Sequence, residues 1–317
     1  MKIFLNRAAS PLIALTAVIA IAIASAVLCT EASAAEPKSS VGELCASISK
    51  TIAPFKWNMD PCQGVDWSVH GSSVQGRPLV YTEFGDPQSK NVTLVFAMVH
   101  PDEITPLYMG IQLIRYLQGH PADLKDARVI IAPLVNPDGF FVNPKIRMNS
   151  RGVDVNRNFA THDWKTNALR AWKVRYKSNA RRFPGHEPAS EPETRFQVQL
   201  IQKFQPRKIL SIHSPLNHMD YDGPSSLSLD KFPKDYIQEC LKLRTQLNAV
   251  STGFFPGSLG NYAGQELGIP TVTLELPTAN AAKASEYWIK FQSGIHSMID
   301  FKIEPLSPRH DLAIGLQ

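Results

Sequence analysis

Two apolar runs separated by a helical period most constrain how this 317-residue chain can fold. Val92 to Val99 and Arg128 to Val135 show no polar alternation, so each reads as a strand covered on both faces. Between them, over Thr105 to Gln118, Leu107, Ile111, Leu113, Ile114 and Leu117 recur on a helical period. Such a strand–helix–strand unit calls for a parallel pair with the helix packed across it. Lys208 to Ile212 and Thr271 to Leu274 read as further short strands, and Tyr236–Val250 and Ala279–Phe301 as further helices. Ser190 followed by Glu193 predicts an N-cap with a capping box opening a helix over Glu193–Phe204.

Upstream, Val41 to Ala53 predicts an entry helix, and Trp67–His70 with Leu79–Phe84 predicts a hairpin around Gly71 to Gly76. Ala160 to Pro188 is polar, basic and broken by Pro184 and Gly185, which predicts a long surface excursion. The expected fold class is α/β: a single domain over 35–317, with a central mixed, largely parallel sheet flanked by helices on both faces.

The first 34 residues read as an address. Lys2 and Arg7 precede an almost wholly apolar Pro11 to Leu28, and Ala32-Ser33-Ala34 offers a small-x-small cleavage site. The expectation is a signal peptide and an exported, periplasmic or secreted protein with no stable membrane insertion after cleavage. An uncleaved anchor is the alternative, and the bulky Leu28 before Cys29 speaks against a lipoprotein. Losing Lys2, Arg7 and Glu31 takes the net charge from +5 to +4, with no basic stripe of the kind nucleic acids select. Three cysteines remain. In an oxidising compartment Cys45 and Cys62 can close the N-terminal segment 35–66 as a disulfide, and Cys240 reads as a buried thiol; three reduced cysteines are the alternative.

The strand ends carry chemistry. His100 and Glu103 follow the first apolar run, His213 follows the strand at Lys208, and Glu275 follows the strand at Thr271. A His-x-x-Glu pair alone fits a solvated loop as readily as a metal site. Ligand sites of open α/β sheets, however, gather at the carboxyl ends of strands, and several candidates arrive there together. Imidazole and carboxylate donors suit a zinc ion that keeps one position open. His70, His120, His162, His186, His296 and His310 fit no such pattern and are expected at the surface.

His100-x-x-Glu103, the run Gly152 to Phe159, Ser211 to Ser214 and Thr273 to Leu276, in that order, resemble the zinc metallocarboxypeptidase (funnelin) family. Arg147 to Asn158, His213 to Asn217 with Tyr221 to Pro224, and Pro256 to Gly264 are most similar to its murein peptide amidase and cell-shape peptidase branch. The resemblance implies one Zn2+ ion held by His100, Glu103 and His213, with Glu275 as general base. It also implies Arg147, in preference to Arg151, as oxyanion partner, and Asn156 and Arg157 as a clamp for a free carboxylate. Asn217 and Asp222 are candidate pocket residues, His218 a candidate substrate contact, and Tyr262 falls where the family places an aromatic lid. The implied substrate is a peptidoglycan stem peptide or muropeptide, cut at the γ-D-glutamyl–meso-diaminopimelate bond. A general carboxypeptidase and an inactive wall-binding relative are the alternatives, and the sequence is silent on oligomeric state.

Overall fold

The computed structural model describes residues 38–124, 126–223, 232–233, 235 and 255–303, all within one compact unit, Ala34–Gln317. The leader 1–34, the helix expected over Tyr236–Val250 with Cys240, and His310 lie outside the described residues.

Seven strands form one mixed sheet: β1 (Ser68–Ser72), β2 (Pro78–Gly85), β3 (Val92–Phe96), β4 (Arg128–Ala132), β5 (Lys208–His213), β6 (His218–Asp222) and β7 (Thr271–Glu275), in the order β1-β2-β4-β3-β5-β7-β6. The central β4-β3-β5-β7 pairs are parallel, and β1-β2, β2-β4 and β7-β6 are antiparallel. Successive side chains alternate across the sheet. Leu94, Phe96, Ile130, Ala132 and Ile209 face one way, onto Phe196, Leu200, Ile201 and Phe204 of the helix Pro192–Phe204. Val95, Val129, Ile131, Leu210 and Ile212 face the other way, onto the helices Thr105–Gly119 and Ala284–Asp300. Both apolar runs end earlier than expected, because Met98 turns to φ +52 after Phe96 and the regular β3–β4 ladder stops at Phe96 and Ala132.

Among the described residues the α-helices, in chain order, are α1 (Val41–Ile52), α2 (Thr105–Gly119), a single turn α3 (Pro137–Phe140), α4 (Leu169–Val174), α5 (Pro192–Phe204) and α6 (Ala284–Asp300). A capping box is present at α1, where Ser40 Oγ accepts from Glu43 N and Glu43 accepts from Ser40 N at 2.7 Å. None forms at α5. Pro192 takes the first helical position, so Glu191 becomes the N-cap and Ser190 falls outside the helix. Glu193 turns inward, fully buried, to accept from Asn149 Nδ2 at 2.9 Å and Val74 N at 3.3 Å.

The N-terminal segment is anchored twice. Cys45 and Cys62 form a disulfide, and a loop of this length stabilises by roughly 3 kcal/mol in the chain-entropy account. Trp57 Nε1 donates to Ala281 O at 2.9 Å, latching this segment to the stretch that follows β7. Among the described residues no helix is long and apolar enough to cross a membrane.

Burial pushes the Glu193 carboxyl up to about 7, with Asp138 adding to the rise. The folded state therefore holds this proton more tightly than the unfolded chain. The associated stability, on the order of 3 kcal/mol, is present below pH 4.5 and lost as pH rises through 7. Glu193→Gln, a neutral side chain of the same shape whose amide oxygen can keep the bond from Asn149, should flatten this slope. Urea unfolding at pH 5 and pH 8 should show wild type and variant converging at the lower pH, with the variant more stable at the higher one.

Candidate metal centre and cleft

His100 and Glu103 leave the end of β3 in one turn, closed by Glu103 N donating to His100 O at 3.0 Å. His213 and Glu275 are the last residues of β5 and β7, and the parallel ladder sets them side by side. His100 Nδ1 lies 3.0 Å from Glu103 Oε1, His213 Nδ1 lies 3.0 Å from Glu103 Oε2, and the two Nδ1 atoms are 3.1 Å apart. All three side chains are buried.

Each imidazole is oriented from behind. His100 Nε2 meets Asp154 Oδ1 at 3.1 Å, and His213 Nε2 meets Ser211 Oγ at 2.9 Å. With their protons on those outer atoms, both Nδ1 lone pairs point inward. Two imidazoles and one carboxylate converging in this way fit a zinc ion with one coordination position left for water. Burial alone would raise the Glu103 carboxyl, but His100 and His213 outweigh it and hold it below the usual range. His213 is moved upward: Glu103 and Glu275 overcome its burial.

Arg147 reaches this centre from the loop after α3. Gly139 lets that loop pass close, since a Cβ there would lie 2.5 Å from Met148 O. Asn149 folds the loop by accepting from Arg151 N and Val153 N while donating to Glu191 and Glu193. Arg147 then donates from Nε to Asp154 Oδ2 at 2.9 Å and from Nη1 to Glu103 Oε1 at 3.1 Å. Arg151 is half exposed and bridges Glu191 instead. Asp154 is fully buried; burial opposes its charge, yet Arg147 and His100 hold its pKa well below the ordinary value.

A cleft of about 510 Å³ opens beside the three ligands and is lined by Arg147, Asn156, Arg157, His218, Asp222 and Glu275 among others. Burial, followed by the Glu103 charge, pushes Glu275 up to about 7. Arg157 is 7 % exposed, stacks over Phe255 at 4.4 Å, and its Nε has no hydrogen-bond partner among the described residues. Asn156 uses its side-chain oxygen to accept from Leu259 N at 2.8 Å, fixing the Pro256–Gly260 wall.

Two expected site residues stand elsewhere. Tyr262 is buried in the core against Phe159, at 5.5 Å between ring centroids, and does not line the cleft. Asn217 occupies a turn at φ +53, donating its N–H to Leu276 O, and is likewise not on the lining. His296, expected at the surface, is half-buried and stacked on Tyr116.

The excursion over 160–188 is only partly a surface feature. Trp164 is buried, donating to Arg157 O at 2.8 Å, and Arg175, Tyr176, Arg181 and Arg182 line the cleft mouth. Arg181 pairs at 2.6 Å with Asp102 of the metal loop. Sequence reasoning gave Asp154 and this wall no part in the site. Asp154 had a signal, its place inside the Gly152–Phe159 motif; the wall had none in its polar composition.

A model of the zinc carboxypeptidase family matches residues 63–297. Murein peptide amidase A of Escherichia coli K12 is 30% identical over 227 residues, covering 69% of this chain and 85% of that protein. The protein of the same name from Vibrio campbellii is 29% identical over 216 residues, 67% of this chain and 79% of its own. Among solved structures, murein-tripeptide amidase from Escherichia coli O157 superposes with a TM-score of 0.52 at 25% identity, covering 75% of this chain and 93% of that one. Bovine thrombin-activatable fibrinolysis inhibitor superposes at 0.58 with 18% identity over 82% and 96%, a likeness of fold alone.

Asp154→Asn removes the charge that orients His100 and should weaken zinc binding by roughly 10–100-fold, measured by competition against a chromogenic chelator. Affinity equal to wild type would show that Asp154 only tethers Arg147.

Proposed function

The chain belongs to the zinc carboxypeptidase family and is a zinc-dependent hydrolase; from that premise we propose that it cuts an amide bond in peptidoglycan stem peptides, the γ-D-glutamyl–meso-diaminopimelate bond in particular. The observation that carries this reading is the His100–Glu103–His213 cluster opening onto a cleft with a buried arginine, in a chain similar to murein peptide amidases.

His100, Glu103 and His213 would hold the zinc. When bound, zinc supplies Lewis acidity, polarising the carbonyl and lowering the pKa of a water towards about 7. Glu275, set beside His213, takes a proton from the attacking water. As the new C–O bond forms, Arg147 faces the developing negative charge on the carbonyl oxygen. The C–N bond then breaks, and the proton held on Glu275 passes to the leaving amine. Arg157, desolvated and with Nε uncommitted among the described residues, receives a carboxylate on the leaving fragment, for which a planar fork of donors is suited. Asp222 and His218, at the cleft, contact the substrate.

We also read residues 1–34 as a cleaved leader and the protein as exported to the periplasm or beyond. The Cys45–Cys62 disulfide supports an oxidising destination, and a wall substrate lies in the same compartment. The family itself supports a second reading, a general carboxypeptidase, since a carboxylate clamp serves any C-terminus.

Muropeptides incubated with the zinc-loaded protein, with and without a chelator, should release fragments identifiable by mass as chelator-sensitive cleavage before diaminopimelate. Turnover of blocked dipeptides and not of muropeptides would select the general carboxypeptidase. Glu275→Gln should retain zinc while lowering kcat by roughly 10²–10⁴-fold; unimpaired turnover would remove Glu275 from proton transfer.

A further inference from the structure

The positive charge of this chain is gathered in one place. The stretch 164–186, within the basic excursion, holds seven Lys and Arg and no Asp or Glu. Without it the chain carries 26 basic residues against 28 acidic ones, so the whole excess of +5 comes from this stretch. Trp164 and Ala168 are buried and anchor it from below, Trp164 through its bond to Arg157 O. Trp172 Nε1 donates to Asn179 O at 2.8 Å, and its ring packs on Phe183 at 4.9 Å. With that side anchored, Lys165, Arg170, Lys173 and Lys177 are exposed, and none of the four forms an ion pair among the described residues. Arg181 pairs instead with Asp102, which fixes the end of the stretch beside the metal loop.

These cations border a groove. Asn167, Arg170, Ala171 and Val174 recur at helical spacing, and with Arg175 and Pro256 they line a shallow groove of about 290 Å³. Its floor is apolar: Val174 is 74 % exposed and lies with Ala171 and Pro256. Arg175 also lines the catalytic cleft, so groove and cleft meet at that residue. A chain seated in the cleft therefore has a path onto the basic face. Like charges gathered this densely repel one another, and a partner carrying many negative charges relieves that repulsion.

Building on the hydrolytic reading above, we propose that this basic face is a docking surface for a carboxylate-bearing polymer, the wall polymer from which the scissile peptide hangs. Arg170, Lys173 and Lys177 meet carboxylates of neighbouring peptide chains, and Ala171, Val174 and Pro256 meet the short apolar side chains between them. The enzyme is thereby held on polymer while a single peptide enters the cleft. Exposed charge contacts are individually weak, so binding is the sum of several and falls as salt screens them. Continuity with the cleft favours a polymer over an anionic lipid surface, which would meet the same charges without feeding the metal centre.

Zinc-loaded Glu275→Gln protein is mixed with purified insoluble peptidoglycan, and the bound fraction is read after centrifugation. Amidating the carboxylates of the polymer should weaken binding about tenfold, and binding indifferent to amidation overturns the docking surface. Arg170→Gln, Lys173→Gln and Lys177→Gln combined should also weaken it about tenfold, at an unchanged melting temperature. Replacing Lys50, Lys90 and Arg115 by Gln removes the same three charges from exposed positions on other parts of the fold, and should change binding by about twofold or less. Equal losses from the two triple variants would show that net charge alone attracts the polymer, and would overturn the docking surface. Vesicles of anionic phospholipid supply the membrane arm: a first triple variant that loses vesicle binding and keeps peptidoglycan binding overturns the proposal. If the polymer is bound through the basic face while the zinc-loaded wild type cuts neither it nor soluble tripeptides, the docking surface stands and the stem-peptide activity falls. If tripeptides are cut while the polymer is not bound, the activity stands and the docking surface falls.

Discussion

The candidate centre depends on one buried carboxylate. Asp154 accepts from His100 with one oxygen and from Arg147 with the other, and so fixes a metal ligand and a cleft cation relative to each other. Burying a charge is costly unless it is paired and hydrogen-bonded. Here the cost is met by Arg147, by His100 and by the N–H of Asn156, which donates to Asp154 Oδ1 at 3.1 Å. That last bond extends the arrangement into the Asn156–Arg157 stretch, so His100, Arg147 and the start of that stretch are positioned by a single side chain.

Around this core lies a second layer that holds the loops. Asp138 accepts from Ser73, Gln75, Arg77 and Ser150, tying the β1–β2 turn to the segment that delivers Arg147. Asn149 and Glu193 continue the tie to the start of α5. Sheet register sets His213 and Glu275, while turns and polar networks beyond the strands set His100, Glu103 and Arg147. The first arrangement follows from the sheet and the second from loop chemistry.

This division explains what the sequence could disclose. The α/β fold was legible because Val92–Phe96, Arg128–Ala132 and α2 carry unmixed periodic signals, and His213 and Glu275, at the ends of β5 and β7, are positioned by register. Asp154 was marked only by its place in the Gly152–Phe159 motif; its role was not legible, since its partners come from positions 7 and 54 residues away and no local pattern encodes their approach. The Ser190-x-x-Glu193 pattern misled for a related reason: Pro192 shifted the helix start, and a tertiary partner, Asn149, claimed the glutamate. Tyr262 was placed by resemblance at a lid, yet its ring is retained by Phe159 in the core.

The bond from Trp57 to Ala281 spans 224 positions. Asn91 likewise donates to Ile299 O, and Lys208 to Phe301 O. Read in time rather than in space, these contacts make the fold late to complete. Chain ends that close on each other must first search a long loop, which slows folding relative to a chain of local contacts. Glu275 and the Thr278 carbonyl that ties down α2 through Thr105 belong to the last fifth of the chain. A nascent polypeptide therefore holds His100, Glu103 and His213 well before it holds Glu275, so its metal ligands are all present ahead of the carboxylate beside them.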